Sequence, residues 1–304
     1  MSDSATEFRV SSWDDFIGQE ALKERLDVHI QAALGRKAHR LDAVFLHSPP
    51  GYGKTTLAGI IARRFGNRPF HDYTMPISDK ALKDLVTTGI GVVLFDEIHR
   101  ATPKQQENLL TLVNGNYITM QNGYRLENPD LTIIGATTER DKVIKPLYDR
   151  FFIKPDFVRY SDREMGRIAR NMLASAKLDM PDEYVMAIGK AAGGVPRRIA
   201  DMVAMARDLK ATGKDFSINE VLRFCGLTAD GLTRAHLEYM QLVHSNSKPL
   251  GLSNLSSNLQ LSASMVIDLE SLLVRRGWLS YETQGRDLTG EGHARIRRFI
   301  KEGE

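Results

Sequence analysis

A glycine-rich stretch near the start of the chain carries residue types that bind phosphate. It reads SPPGYGKTT over residues 48–56. Gly51 and Gly53 allow backbone amides to curl around a β-phosphate. Lys54 is spaced to reach the β- and γ-phosphate oxygens, and Thr55 offers a hydroxyl to Mg²⁺. A helix that begins here adds a partial positive charge of ~0.5 at its N-terminus. The stretch therefore predicts a nucleotide-binding loop.

Ser48 departs from this loop pattern, which begins with glycine. Serine is small and follows the same backbone path if its φ stays negative. The flanking residues predict the right context, because 42–47 reads as a short buried strand and 55–66 as a helix that ends at a glycine. Strand, glycine-rich turn and helix in this order favour a P-loop, and a chance glycine-rich turn is the alternative.

A second set of candidate catalytic residues ends the apolar strand within GIGVVLFDEIHR, residues 89–100. In P-loop ATPases, the first acid of such a pair holds Mg²⁺ and the second polarises the attacking water. Asp96 and Glu97 have these places, and Mg²⁺ prefers the oxygen ligands that Thr55 and Asp96 supply. An Asp-Glu pair that caps a helix is the alternative interpretation.

A third apolar run, residues 130–140, ends in Thr137 and Thr138. Hydroxyls at this strand end are placed to sense a γ-phosphate, although threonine is also common in ordinary strands. The strands that carry these loops must lie side by side, so we expect an α/β fold with a parallel sheet.

The bulk composition indicates a soluble protein of two or three domains. The 304 residues are 42% hydrophobic and 26% charged, with net charge +3. The single cysteine excludes an internal disulfide and fits a reducing cytoplasm. The N-terminus lacks a secretory signal, and no apolar run approaches the ~20 residues of a membrane helix. A mildly basic charge permits DNA binding without requiring it.

The succession SPPGYGKTT, FDEIHR, IIGATT and PLYDRF resembles the RuvB family of AAA+ ATPases, which drive branch migration of Holliday junctions. The resemblance runs from about residue 9 to 289. It implies ATP and Mg²⁺ as cofactors, adenine contacts from the backbone around Ile17 and Gly18, a base contact from Tyr160, and a γ-phosphate contact from Arg197. The complete implied nucleotide set is Ile17, Gly18, Pro50, Gly51, Tyr52, Gly53, Lys54, Thr55, Thr56, Tyr160 and Arg197.

The same resemblance identifies Arg150 in PLYDRF as an arginine finger that reaches the nucleotide of a neighbouring subunit. It implies a homo-oligomeric ring, expected to be a hexamer, and a catalytic set of Lys54, Glu97, Thr138 and Arg150. Tyr148 stands where the family usually has a second arginine, which affects details of the interface. A surface arginine at a helix C-terminus is the alternative.

The C-terminal segment predicts a winged helix, with helices over 232–246, 252–260 and 262–277 and a wing over 278–289. The candidate DNA contacts are Arg275, Arg276, Arg286 and Arg295. Residues 229–304 contain nine Lys or Arg and nine Asp or Glu, so the segment is neutral. Because DNA affinity depends on phosphate neutralisation, a protein-interaction module is the alternative.

Residues 117–127 predict a hairpin with an Asn-Gly type I′ turn at Asn122–Gly123. In the RuvB family, the hairpin at this place docks onto the junction-binding partner RuvA. Here it is shorter than usual, so dependence on a RuvA-like partner is the least supported implication.

These features divide the chain into an AAA+ ATPase domain (1–157), a helical lid (158–228) and a winged helix (229–304). The expected function is an ATP-driven motor that translocates duplex DNA at Holliday junctions. A helicase or clamp loader that uses ATP as a switch on a protein ring is the first alternative. A DNA-binding scaffold that does not hydrolyse nucleotide is the second.

Overall fold

A computed structural model describes residues 10–87, 90–115, 117–119, 125–127, 130–213 and 215–302. The chain forms two compact units. One comprises Met1–Lys177 with Gly194–Arg198, and the other comprises Leu178–Gly193 with Ile199–Glu304. Across the described ranges, no helix has the length and apolar character needed to span a membrane.

The first unit is an α/β unit. Its elements in chain order are α1 Glu20–Gly35, β1 Val44–His47, α2 Lys54–Arg64, β2 Phe70–Thr74, α3 Asp79–Thr87, β3 Val92–Asp96, α4 Pro103–Gly115, β4 Tyr117–Thr119, β5 Arg125–Glu127, β6 Thr132–Thr137, α5 Lys145–Arg150 and α6 Asp162–Ser175. Short 3₁₀ turns at Ile98–Arg100 and Arg140–Lys142 follow β3 and β6.

A four-stranded parallel sheet positions the predicted chemistry. Its strand order is β1-β6-β3-β2. Beyond β1, Ile153 forms a parallel bridge with Val44. Because the strands are parallel, the carboxyl ends of β1, β3 and β6 meet at one edge of the sheet, and the predicted functional residues follow these ends. The predicted α/β fold is confirmed.

Both faces of β1, β6 and β3 are buried, which explains why these strands read as continuous apolar runs, whereas the edge strand β2 is mostly exposed. Alternate side chains enter opposite cores, as the two-residue period of a strand requires. One core contains Phe45, Val93, Phe95, Ile133, Leu109, Leu112, Leu147 and Phe151. The other contains Val44, Leu46, Leu94, Ile134, Leu26, Ile30, Leu57 and Ile61.

The predicted hairpin strands are present, because β4 and β5 pair antiparallel with Tyr117 opposite Glu127. The predicted turn at Asn122–Gly123 lies outside the described residues.

The second unit is built mainly from helices. Its elements are α7 Asp182–Ala191, α8 Pro196–Ala211, α9 Ile218–Phe224, α10 Arg234–Ser245, α11 Leu252–Leu259, α12 Ala263–Arg275, β7 Leu279–Glu282, β8 Gly285–Leu288 and α13 Gly290–Glu302. The first three residues of α8 group with the first unit. The wing strands β7 and β8 pair antiparallel, and Leu250 bridges Arg286, so the predicted winged helix is confirmed.

The sequence interpretation of three helices and a wing missed α13. Its first turn contains Gly290 and Gly292, which are poor helix formers and obscure the pattern. Downstream, Ile296 is fully buried in the core of the winged helix whereas Arg297 and Arg298 are exposed. The helix is therefore amphipathic and stabilised by packing rather than by propensity.

Candidate active site

The glycine-rich loop joins β1 to α2 as predicted. Gly51 and Gly53 have φ values of +81° and +92°, in the left-handed region that glycine adopts without strain. Ser48 is buried and is not among the described residues with positive φ. A serine therefore fits the first position of this loop.

Lys54 begins α2 and its ammonium group lies inside the loop. Its Nζ donates to the Ser48 carbonyl oxygen at 3.0 Å and lies 3.4 Å from the Ser48 hydroxyl. Burial lowers the pKa of Lys54, and the nearby carboxylates of Glu97 and Asp96 oppose that shift. The charged lysine is thus held close to two acids at the sheet edge.

Asp96 ends β3 and meets the start of α2. Thr55 Oγ1 donates to Asp96 Oδ2 at 3.4 Å, and the Glu97 backbone N–H donates to Asp96 Oδ1 at 2.9 Å. A hydroxyl and a carboxylate in contact are oxygen donors of the kind that Mg²⁺ prefers. The structure therefore brings the two predicted metal ligands together.

Glu97 follows with a left-handed backbone, φ +49°, which is unusual for a residue with a side chain. Its Oε2 accepts from the Thr138 hydroxyl at 3.0 Å and from the Thr138 backbone N–H at 3.3 Å. Thr137 is fully buried and its hydroxyl contacts His99. Thr138, rather than Thr137, therefore shares the exposed side of the site with Glu97.

The predicted adenine-binding residues form a packed cluster. Ile17, Tyr52 and Tyr160 are buried, and the Tyr160 hydroxyl donates to the Tyr52 carbonyl oxygen at 3.3 Å. Burial raises the pKa of Tyr160. Gly18 has φ +75°, and a Cβ there would lie 2.6 Å from Glu164 Oε1. The positive φ and this close approach both favour glycine at position 18.

Arg197 lies against the glycine-rich loop. Its backbone N–H donates to the Gly51 carbonyl oxygen at 3.3 Å. A Cβ on Gly51 would lie 2.8 Å from Val195 and 2.9 Å from Arg197 Cβ. The start of α8 is therefore packed directly on the loop. Pro50 and Thr56 complete the predicted set, Pro50 exposed in the loop and Thr56 half-buried in α2.

Arg150 is the last residue of α5 and is exposed. Tyr148, on the same helix, lies between two cations. The Arg140 guanidinium is 4.3 Å and the Lys154 ammonium 4.5 Å from its ring centroid. Positive charge therefore surrounds the position where Tyr148 departs from the family pattern.

The predicted DNA-contacting arginines are engaged within the second unit. Arg286 Nε donates to Glu270 at 3.0 Å, Arg295 Nε donates to Asp230 at 2.8 Å, and Arg276 donates to the Lys190 carbonyl oxygen at 3.0 Å. Arg275 is half-buried. These contacts compensate the charge of Arg286 and Arg295 inside the protein, which is unfavourable for a primary phosphate contact.

Glu270 is a fully buried carboxylate that ties the wing to the helices. It accepts from the Tyr239 hydroxyl at 3.0 Å and the Tyr281 hydroxyl at 2.9 Å as well as from Arg286. Burial is the largest cause that raises the pKa of Tyr239, and the nearby Glu270 carboxylate is the second. Sequence patterns gave no signal for this network, because its members come from α10, α12 and both wing strands.

Glu270→Ala is expected to destabilise the second unit by about 3–5 kcal/mol, because Arg286 loses its buried partner. Urea unfolding followed by Trp278 fluorescence in a Trp13→Phe background would measure this. Glu282→Ala, at an exposed position on the same wing, is the control. A loss below about 1 kcal/mol would show that the network is dispensable.

Glu164 is a neighbour of the nucleotide site that the sequence analysis missed. Its Oε2 accepts from the Ser161 backbone N–H at 2.7 Å and forms a capping box that begins α6. The Ser-x-x-Glu pattern could have identified this helix start. The other carboxylate oxygen, Glu164 Oε1, would lie 2.6 Å from a Cβ at position 18.

Known proteins resemble this chain along nearly its whole length. Residues 8–157 match the model of the Holliday junction DNA helicase RuvB P-loop domain, and residues 229–297 match the RuvB C-terminal winged helix domain. The RuvB subunit of the Holliday junction branch migration complex from Borreliella burgdorferi is 32% identical over 98% of this chain and 91% of its own length. The chain belongs to the RuvB family.

Other RuvB proteins give the same result. RuvB from Sulfurimonas denitrificans is 32% identical over 92% of this chain and 88% of its own. The structure of the Thermotoga maritima RuvB Holliday junction branch migration motor superposes with a TM-score of 0.78 at 26% identity. That match covers 95% of this chain and 98% of the Thermotoga chain. The match to the P-loop domain of this family implies that the chain binds nucleotide.

Proposed function

We propose that this protein is an ATP-driven motor that moves Holliday junctions by branch migration. The observation that carries the proposal is the convergence of Lys54, Asp96, Glu97 and Thr138 at one sheet edge, in a chain of the RuvB family. The presence of these residues, together with Thr55 and Arg150, argues against a scaffold that binds nucleotide without hydrolysis.

ATP binds with its phosphates in the loop at 48–56 and its base near Gly18 and Tyr160. Ile17, Pro50, Tyr52 and Thr56 complete the contacts. Thr55 and Asp96 would hold Mg²⁺, which neutralises charge on the phosphate oxygens when bound. The 3.4 Å contact between their oxygens supports this assignment.

Four side chains of each subunit act on the phosphates of the nucleotide that it binds, and Arg150 acts from the neighbouring subunit. Lys54 stabilises charge on the β- and γ-phosphate oxygens, and Glu97 orients and polarises the attacking water. Thr138 and Arg197 sense the γ-phosphate. Thr138 is within 3.0 Å of Glu97, so it couples the sensing group to the water-polarising group.

Arg150 completes the active site of a neighbouring subunit. Its exposed place at the end of α5 supports action in trans, and stabilisation of the transferring phosphoryl by a finger is worth ~10³–10⁵ in rate. A heterologous contact of this kind generates a closed ring, for which we propose a hexamer.

DNA is held through its backbone by the winged helix, as suits a motor that moves along any sequence. The proposed contacts are Arg275, Arg276, Arg286 and Arg295. Because Arg286 and Arg295 already have carboxylate partners, a phosphate must compete with Glu270 and Asp230. The hairpin of β4 and β5 is the proposed docking element for a RuvA-like partner.

We propose that the chain divides functionally at residues 157 and 228, into ATPase, lid and winged-helix domains. It acts in the cytoplasm, where its DNA substrate lies. A clamp loader or another AAA+ helicase would use the same ATPase residues, but the relatives that match along nearly the whole chain are RuvB subunits.

The rate of ATP hydrolysis with no DNA, linear duplex and a synthetic four-way junction tests this function. Strong stimulation by DNA, greatest with the junction, is the expected result. A slow rate that is equal under all three conditions, also when RuvA is added, would contradict a motor.

A further inference from the structure

His99 lies at the centre of the active-site cluster but has no part in the function proposed above. It is in the 3₁₀ turn after β3, and its side chain is 6% exposed. Nδ1 is 2.9 Å from the Thr137 hydroxyl and 3.1 Å from Glu97 Oε2, while Nε2 is 3.2 Å from Glu139 Oε1. Both ring nitrogens are therefore engaged, and the ring is fixed in one orientation.

The Thr137 hydroxyl, which contacts the His99 ring, is held in place by the sheet. Thr137 is the last residue of β6, fully buried, and its hydroxyl also accepts from the Glu139 backbone N–H at 2.9 Å. A glutamate side chain loses about 1.5–2 kcal/mol of rotamer freedom when it is fixed. The His99 ring, which Thr137 holds at the end of β6, can offset the entropic cost of fixing the Glu97 side chain before nucleotide binds.

We propose that His99 is the positioning residue of Glu97 and holds its carboxylate toward the attacking water. The inference rests on the proposed role of Glu97 in hydrolysis. Thr138 also donates to Glu97 Oε2, but its hydroxyl is the group that senses the γ-phosphate. When that hydroxyl turns to the phosphate, His99 remains the side-chain contact of Oε2 within the described part of the chain.

His99 is therefore expected to affect the rate of ATP hydrolysis rather than the affinity for ATP. Its contacts are with Thr137 at the end of β6, with Glu97 after β3 and with Glu139 after β6, and none of these residues belongs to the loop at 48–56. Misplacement of a reacting group by about 1 Å costs on the order of 10²-fold in rate. Loss of His99 should therefore lower kcat strongly and change ATP affinity little.

Three substitutions separate positioning from general structure. His99→Ala is expected to lower kcat by about 10²-fold, with Kd for a fluorescent ATP analogue within about threefold. His99→Asn, whose amide can replace Nδ1, is expected to recover most of the loss. His99→Gln, whose amide lies closer to the place of Nε2, is expected to recover little. The thermal midpoint of each variant reports folding.

The double variant Glu97→Gln/His99→Ala decides the mechanism. Because His99 acts through Glu97, kcat of the double variant is expected to equal that of Glu97→Gln alone. A further loss in the double variant, an unchanged kcat in His99→Ala, or equal recovery by Asn and Gln would overturn the inference. If Glu97→Gln itself retains hydrolysis, the role of Glu97 in the proposed function fails instead, so the two failures are distinguishable.

Discussion

Glu97→Gln is expected to reduce kcat for ATP hydrolysis by about 10²–10⁴-fold, the contribution typical of a positioned general base. The amide oxygen can still accept from Thr138, so the local structure is retained while the carboxylate charge is lost. Binding of a fluorescent ATP analogue should change little, because Glu97 is not among the proposed phosphate-binding groups. Single-turnover hydrolysis and equilibrium binding would measure the two effects separately.

A matched substitution controls for a general effect of losing a glutamate. Glu107 is exposed on α4, and Glu107→Gln should leave both kcat and Kd unchanged. If kcat of Glu97→Gln stays within tenfold of the original protein, a different residue polarises the water and the assignment from the strand end is wrong.

Arg150→Ala is expected to reduce kcat by about 10³–10⁵-fold without loss of ATP binding, because a finger stabilises charge that develops in the transition state. If Arg150 acts in trans, the variant still supplies an intact Glu97. The Glu97→Gln variant still supplies an intact Arg150. Mixed rings then contain complete sites between unlike subunits, in about a quarter of interfaces for random head-to-tail assembly.

The mixing experiment therefore has an unusual signature. Each variant alone is nearly inactive, and an equal mixture should recover part of the original rate after subunit exchange. Arg36→Ala, which removes an exposed arginine after α1, is the control and should retain activity alone. A mixture that stays inactive after confirmed exchange would mean that Arg150 acts within its own subunit or has no catalytic role.

The parts of the site that follow local rules were predictable from the sequence. Gly51 and Gly53 have positive φ because the loop must turn tightly into α2, and the Lys-Thr pair follows by motif spacing. Glu97 and Thr138 come together because each follows the end of a strand, and parallel strands share an edge.

Long-range charge pairing was not predictable in this way. The arginines of the C-terminal segment read as a basic DNA-binding set, yet Arg286 meets Glu270 and Arg295 meets Asp230, 65 residues away in the chain. Counting charges cannot show which are paired inside the fold. The same holds for His99, whose partner Thr137 is 38 residues distant.

The helix α13 shows a different reason for failure. Its glycines and many charges argue against a helix from propensity alone, and packing of Ile296 and Phe299 in the winged-helix core stabilises it. Tertiary contacts overrode the local preference, as is usual for amphipathic helices at the end of a domain.

The central claim is that hydrolysis at the Lys54–Glu97 site moves a four-way DNA junction. The most direct test incubates the protein and ATP, with and without RuvA, with a synthetic junction whose homologous arms allow migration, and measures conversion to duplex products. The account predicts conversion that requires ATP, is abolished by Glu97→Gln and is restored when the Glu97→Gln and Arg150→Ala proteins are mixed. Brisk ATP hydrolysis without any junction conversion, with RuvA present, would contradict it.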